Sequence, residues 1–345
     1  MSDNFYKLTP DIVIQCIESS GLEPTGQYMV LNSYENRVFD LTLENGEHII
    51  TKFYRPGRWS REQIEAEHRF LADLQDNDIP VCSPIPFADQ KTLHEKSGIF
   101  YAIWPRTGGR SVDELGEEQI GILGRLLARI HNTGDVGKPS PRLVLDATTY
   151  AEIPFQFLKS NDFIPGQFLR RYSQAVAEII AIYDSMVKNV PFHSIHGDCH
   201  LGNLLHGKDG WFFLDFDDFL TGPAVQDVWM LLPGRDSHSR IQRYQLLQAY
   251  RQFRNFEDSW LELIEPLRAL RYIHYAGWIA KRWDDPAFPA AFPHFGTNDY
   301  WEEETRNLED QLRLIHSGEM EQEEELQTEA EQELGNKDFF WDWEN

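Results

Sequence analysis

Apolar and polar positions alternate with period two from Val38 to Leu43 and again from His48 to Phe53, around the polar break Glu44-Asn45-Gly46-Glu47. That pattern predicts a twisted antiparallel hairpin, and residues 28–54 as a whole read as sheet. From Trp59 to Gln75 the period lengthens to that of a helix, with Ile64, Phe70, Leu71 and Leu74 on the apolar face and Ser60 placed to cap its start. Phe100-Tyr101-Ala102-Ile103-Trp104 reads as a buried strand, and Pro105 to Gly109 as a hinge. Val112 to His131 reads as a second helix, ended by Asn132-Thr133-Gly134, and helical spacing dominates from there on. The pattern predicts an α+β chain whose sheet precedes its helices.

One short hairpin interrupts the helical part. Leu204-Leu205-His206 and Trp211 to Leu214 read as paired strands joined through Gly207-Lys208-Asp209-Gly210. A hairpin brings its two ends together, so Asn203 and Asp215 are expected on neighbouring strand ends, with Asp198 one loop back. The chemistry of these three residues is that of a phosphotransferase. An aspartate can receive the proton of an acceptor hydroxyl, and an amide oxygen with a second carboxylate suits a magnesium ion bound to ATP phosphates.

Two other readings compete. His193, His196, His200 and His206 beside Asp198 contain good zinc or iron ligands, but their spacing does not place them on one helix face. A purely structural reading makes the same carboxylates solvated turn residues.

His196-Gly197-Asp198 with Asn203, followed by the strand-end Asp215, resembles the Brenner-type motif of the aminoglycoside phosphotransferase and choline kinase superfamily, relatives of protein kinases. Leu31 to Val38, Lys52-Phe53-Tyr54-Arg55-Pro56, Gly222 to Asp227 and Ala287-Phe288-Pro289 narrow the likeness to a bacterial branch that phosphorylates serine and threonine hydroxyls of proteins during stress. It runs from about residue 8 to 315. It implies a protein-kinase-like fold, with an ATP-binding lobe over residues 1–105, a catalytic lobe over 106–317 and an acidic tail over 318–345. Lys52 would then pair with the phosphates, and Glu67 would steady Lys52. Glu62 and Glu65 lie on the same helix, and the resemblance rather than periodicity favours Glu67. Ser33 would stand at the ATP site, because Leu31 to Asn36 lacks the glycines of the usual phosphate-covering loop; Asn32 and Asn36 would ease its backbone angles. Asp227 would accept backbone amide hydrogen bonds from the catalytic loop. Gly197 replaces the arginine with which many protein kinases receive an activation-loop phosphate, so that form of control is not expected. Asp217 and Asp218 read as surplus exposed carboxylates.

Magnesium and ATP are therefore the expected cofactor and co-substrate. Protein serine and threonine hydroxyls, the chain's own included, are the expected acceptors. The alternative acceptor is a small alcohol of the aminoglycoside, choline or homoserine type, which the motif alone does not separate. A net charge of -24 in 345 residues disfavours nucleic acid. Three scattered cysteines (Cys16, Cys82 and Cys199) and the lack of an apolar run of the ~18 residues that span a bilayer point to the reducing cytoplasm, and a monomer is expected. Cys199, next to Asp198, is a candidate for redox control. The tail is acidic but ends in Phe339-Phe340-Trp341-Asp342-Trp343, a composition suited to docking.

Overall fold

A computed structural model describes residue 5 and residues 8–31, 33, 35–135, 140–208 and 210–317. The acidic aromatic tail, Asn32 and turn residue Asp209 lie outside the described residues. In chain order the main elements are α1 (Pro10–Glu18), β1 (Pro24–Leu31), β2 (Arg37–Leu43), β3 (His48–Phe53), α2 (Arg61–Asp76), β4 (His94–Lys96) and β5 (Ile99–Pro105). There follow α3 (Glu117–Asp135), α4 (Ile153–Ser160), α5 (Gly166–Met186), β6 (Phe192–Ile195), β7 (Leu204–Gly207), β8 (Gly210–Phe213) and β9 (Leu220–Pro223). The last are α6 (Val225–Leu231), α7 (Ser237–Tyr250), α8 (Ile264–Ala280), α9 (Ala287–Ala291) and α10 (Asn298–Ser317). Among the described residues, no helix is long and apolar enough to cross a membrane.

Two compact units result. One comprises Met1–Asp113, Val136–Arg142 and Gly202–Phe219, the other Glu114–Asp135, Leu143–Leu201 and Leu220–Asn345. In the first, five antiparallel strands pair in the order β1-β2-β3-β5-β4. The period-two pattern explains its two faces. Ile49 and Phe53 point into a core shared with Val13, Cys16 and Ile17 of α1, whereas Ile50 and Tyr54 pack on the opposite face with Ile64 of α2. Lys52, in register with Val38 on one side and Ala102 on the other, shares that second face.

Ser60 caps α2 as expected: its hydroxyl accepts from the Gln63 amide while the Gln63 side chain accepts from the Ser60 amide. His68, further along α2, is 4% exposed and lies between the Tyr54 hydroxyl at 2.9 Å and Thr92 at 2.8 Å. Burial, reinforced by the Lys52 charge, pushes its pKa down to about 3. The unfolded imidazole titrates near ~6.5, so the unfolded state binds a proton that the native state refuses; the stability His68 contributes is full above that pH and is lost on acidification at ~1.4 kcal/mol per pH unit. The urea midpoint of the parent protein should therefore fall more steeply than that of His68→Gln between about pH 6.5 and 5. Parallel pH profiles would mean that His68 carries its charge in the fold.

The second unit is mainly helical. Its α3 begins at Glu117, not Val112, and runs through Asn132-Thr133-Gly134 to Asp135. Gly134 serves a close approach instead of a stop: a Cβ there would lie 2.0 Å from the Ser194 carbonyl oxygen of β6. Gly222 and Pro223 complete β9, which pairs antiparallel with β6. That two-stranded ribbon carries the His196 loop at one end and leads into α6 at the other.

Candidate active site

In the sheet-containing unit, three carboxylates surround Lys52, which is 8% exposed. Its Nζ lies 2.9 Å from Asp217, 3.2 Å from Asp215 and 3.7 Å from Glu67. Burial opposes the ammonium charge, but Asp217, Glu67 and Asp215 outweigh it and hold the pKa well above the ordinary lysine value. Burial raises the Glu67 carboxyl while Lys52 pulls it back. For Asp217, burial is overcome by Lys52, Arg58 and Arg142, which keep it well below the usual carboxylate range.

Of the three glutamates on α2, Glu67 is the one buried, at 1% exposure, whereas Glu62 is exposed and Glu65 intermediate. Its place follows from spacing: Ile64, Glu67, Leu71 and Leu74 share one helical stripe.

The hairpin β7-β8 forms in the expected register, Leu204 opposite Phe213. Just beyond it, the Leu214 amide donates to the Asn203 carbonyl over 2.9 Å, so Asn203 and Asp215 flank the open end of the hairpin. Asn203 is buried, while the Asp215 side chain is 49% exposed on a left-handed backbone with φ 49°. An amide oxygen and a carboxylate are hard donors that fit magnesium and leave positions for phosphate oxygens and water.

Asp217 corrects the expectation of a surplus exposed carboxylate. It is 2% exposed, and its Oδ2 accepts from Arg58 at 2.5 Å and from Asn36 at 3.2 Å. Asp218 is the exposed member, its side chain 44% accessible and paired with Arg58. Arg58 also reaches Glu35 at 3.3 Å, and the Arg55 amide donates to Asn36. The turn between β1 and β2 is thus pinned from its C-terminal end, near Ser33, whose hydroxyl accepts from the Asn36 amide at 3.2 Å. Arg142, stacked 3.7 Å from the centre of the Trp59 ring, donates to the carbonyls of Asp217 and Phe219. Neither Arg58 nor Arg142 was legible from motif spacing.

In the helical unit, Asp227 at the start of α6 is fully buried. Its two oxygens accept the amides of His196 and Gly197, each over 2.8 Å, and His131 lies 3.0 Å away. This is the brace expected of it. Burial pushes its carboxyl up to about 6 against the pull of His196 and the two amides. Gln226 donates to the Gly197 carbonyl and is itself held by Trp229. Gly197 has φ +83°, so an arginine there would be strained.

Asp198 is 8% exposed. Arg271 of α8 donates to its Oδ1 at 2.9 Å, and His200 stands 3.5 Å from Oδ2. Burial works against its charge, but Arg271 and then His200 hold its pKa well below the usual range. Cys199 is inaccessible, and burial pushes its thiol well above the ordinary value, which argues against the redox role. The four histidines go to separate partners: His193 beside His131, His196 to Asp227 through its amide, His200 to Asp198 and His206 to Trp211. Among the described residues, no group of three or more His, Cys, Asp or Glu gathers as a metal cluster.

Residues 29–264 match the phosphotransferase enzyme family. The chain belongs to that family. Stress response kinase A of Escherichia coli K12 is 36% identical over 312 residues, 90% of this chain and 94% of the relative. A serine/threonine protein kinase, RdoA, of Salmonella typhimurium is 36% identical over 320 residues, 92% of this chain and 97% of the relative. Among solved structures, an amicoumacin kinase in complex with AMP-PNP, Ca2+ and Ami superposes with a TM-score of 0.70 at 20% identity, covering 89% of this chain and 93% of that one. Choline kinase of Cryptosporidium parvum gives a TM-score of 0.57 at 10% identity, covering 90% and 97%. This phosphotransferase therefore has the protein-kinase-like fold, its antiparallel sheet preceding a helical region, and is a kinase.

Proposed function

We propose that this phosphotransferase is an ATP- and magnesium-dependent protein kinase that transfers the γ-phosphoryl group to serine and threonine hydroxyls in the cytoplasm, as part of a stress response. The observation that carries the reading is 36% identity over nine-tenths of the chain to relatives named as stress response and serine/threonine kinases. The small-molecule kinases among the solved structures share the fold at 20% identity or less.

In this reading Asp198 receives the acceptor hydroxyl and takes its proton. Asn203 and Asp215 hold magnesium, which when bound neutralises charge on the phosphates. Lys52, braced by Glu67, steadies the same phosphates, and Ser33 contributes its hydroxyl or amide at the ATP site. The enzyme acts as a monomer, and its own hydroxyls are among its acceptors.

The deciding assay incubates the protein with magnesium and γ-labelled ATP, alone, with generic protein acceptors and with small alcohols such as homoserine, choline and an aminoglycoside. Label is expected on protein serine or threonine, and Asp198→Asn should cut it by about 10²- to 10⁴-fold. Label found only on a small alcohol would retire the protein-kinase reading and leave the phosphotransferase.

A further inference from the structure

The catalytic aspartate candidate has a partner that no motif announced. Asp198 and Arg271 are both nearly inaccessible, at 8% and 5%, and meet at 2.9 Å. They come from distant parts of the helical unit, the loop after β6 and the middle of α8. Arg271 is not a peripheral charge on its helix: its neighbours Leu270 and Tyr272 are buried too, and α8 packs against α4, α5 and α10. A buried guanidinium with a buried carboxylate as neighbour holds that carboxylate in one orientation, since rotation leaves both charges poorly compensated.

We infer that Arg271 is a positioning residue for phosphoryl transfer, holding the Asp198 carboxylate in the orientation in which it receives the acceptor hydroxyl. The inference rests on the reading of Asp198 as the base. In the transfer step the acceptor oxygen forms the new P–O bond, the bond between the γ-phosphorus and the β,γ-bridging oxygen breaks, and the acceptor proton passes to Asp198. Arg271 acts on the reaction through Asp198.

Charges from three elements bear on Asp198. Arg271 approaches from α8, His200 and His196 belong to its own loop, and Asp227 of α6 adds a repulsive charge. Arg271 is the strongest of the favourable influences. Its removal should raise the pKa of the base, by about one unit or more.

The test compares Arg271→Met, Arg271→Lys and Asp198→Asn with the parent enzyme in magnesium-ATP phosphoryl transfer across pH, alongside nucleotide affinity measured by binding and a thermal melt. For Arg271→Met we expect kcat at neutral pH to fall by about 10-fold or more, the acidic limb of the pH profile to move up by about one unit, and the Kd for ATP to stay within about twofold. Arg271→Lys should keep the limb low and recover part of kcat. If Arg271→Met does not fold, Arg271→Lys decides: a several-fold loss of kcat at unchanged ATP affinity supports the inference, and the parent's kcat overturns it. The outcomes for the two claims are separable. An active Asp198→Asn sinks the reading of the base itself, whereas an inactive Asp198→Asn beside an Arg271→Met enzyme with unmoved limb and kcat sinks only the role given to Arg271.

Discussion

Lys52→Met should remove nearly all phosphoryl transfer, at least about 10²-fold in kcat/KM, and should cost about 3–5 kcal/mol of stability. Both follow from one arrangement. Lys52 is the cation that Glu67, Asp215 and Asp217 share, and two of those carboxylates are buried. Asp215 is half exposed and can recruit water, and Asp217 keeps Arg58 and Asn36, so the larger part of the cost falls on Glu67. Burial already raises the Glu67 carboxyl, and losing Lys52 raises it further. A carboxyl whose folded pKa exceeds its unfolded value favours the fold most when protonated and loses that contribution as pH rises through the folded pKa. The stability gap between parent and variant should therefore be widest above neutrality and should narrow toward about pH 5. Urea denaturation at both pH values checks the sign, and a pH-independent gap would mean that Glu67 is not the stranded charge. The double variant Lys52→Met, Glu67→Gln separates stability from chemistry: it should recover stability and remain inactive.

The same cluster shows which parts of this protein were legible in its sequence. Strand periodicity places Lys52 on a particular face, because that period is a local property of the backbone, whereas the choice of Glu67 over Glu62 and Glu65 came from the resemblance. The β7-β8 hairpin, with Asn203 and Asp215 at its ends, was legible for the same reason, through turn chemistry at Gly207 and Gly210. What escaped was non-local. Asp217 looks like any acid in an acidic loop until Arg58, Asn36 and Lys52 converge on it from other elements. Arg271 is one of two arginines on α8, Arg268 being the other, and nothing in its spacing identifies Asp198 as its partner. Gly134 misled for a related reason: a glycine near a helix end usually marks a stop, whereas here its missing side chain admits a strand carbonyl.

Asp217 also changes how the glycine-free turn before β2 is understood. Phosphate-covering loops usually rely on glycine to bring backbone amides close to their ligand. Here the turn carries Asn36, which reaches Asp217, and Glu35, which reaches Arg58, so its position is fixed through side chains that end on the same carboxylate as Lys52. The lysine and the turn are therefore held by a common anchor.

Asp227→Asn should lower kcat by about 10²-fold and destabilise the protein by about 2–3 kcal/mol, while leaving ATP affinity within about twofold. Each carboxylate oxygen of Asp227 accepts one backbone amide of the loop that carries Asp198, and His131, itself hydrogen-bonded to Tyr250, meets one of them. Asparagine offers one oxygen, so its NH2 group would face a backbone N–H with no acceptor between them. The loop must shift or leave a buried donor unsatisfied, and Asp198, adjoining Gly197, moves with it. The pH dependence follows from the carboxyl's pKa of about 6, raised by burial above the unfolded value. The stability this group contributes is fully present below the unfolded carboxylate pKa of about 3.9 and declines as pH rises through the folded value. Asparagine does not titrate, so the stability difference between the two proteins should be widest below about pH 4 and should narrow as pH rises through about 6, staying at its smaller value above pH 7. Thermal melts across that range, paired with kcat at pH 7.5, test both halves. A variant that melts lower but keeps full kcat would reduce Asp227 to an acid at a helix start, because a brace for the catalytic loop cannot be weakened without moving Asp198.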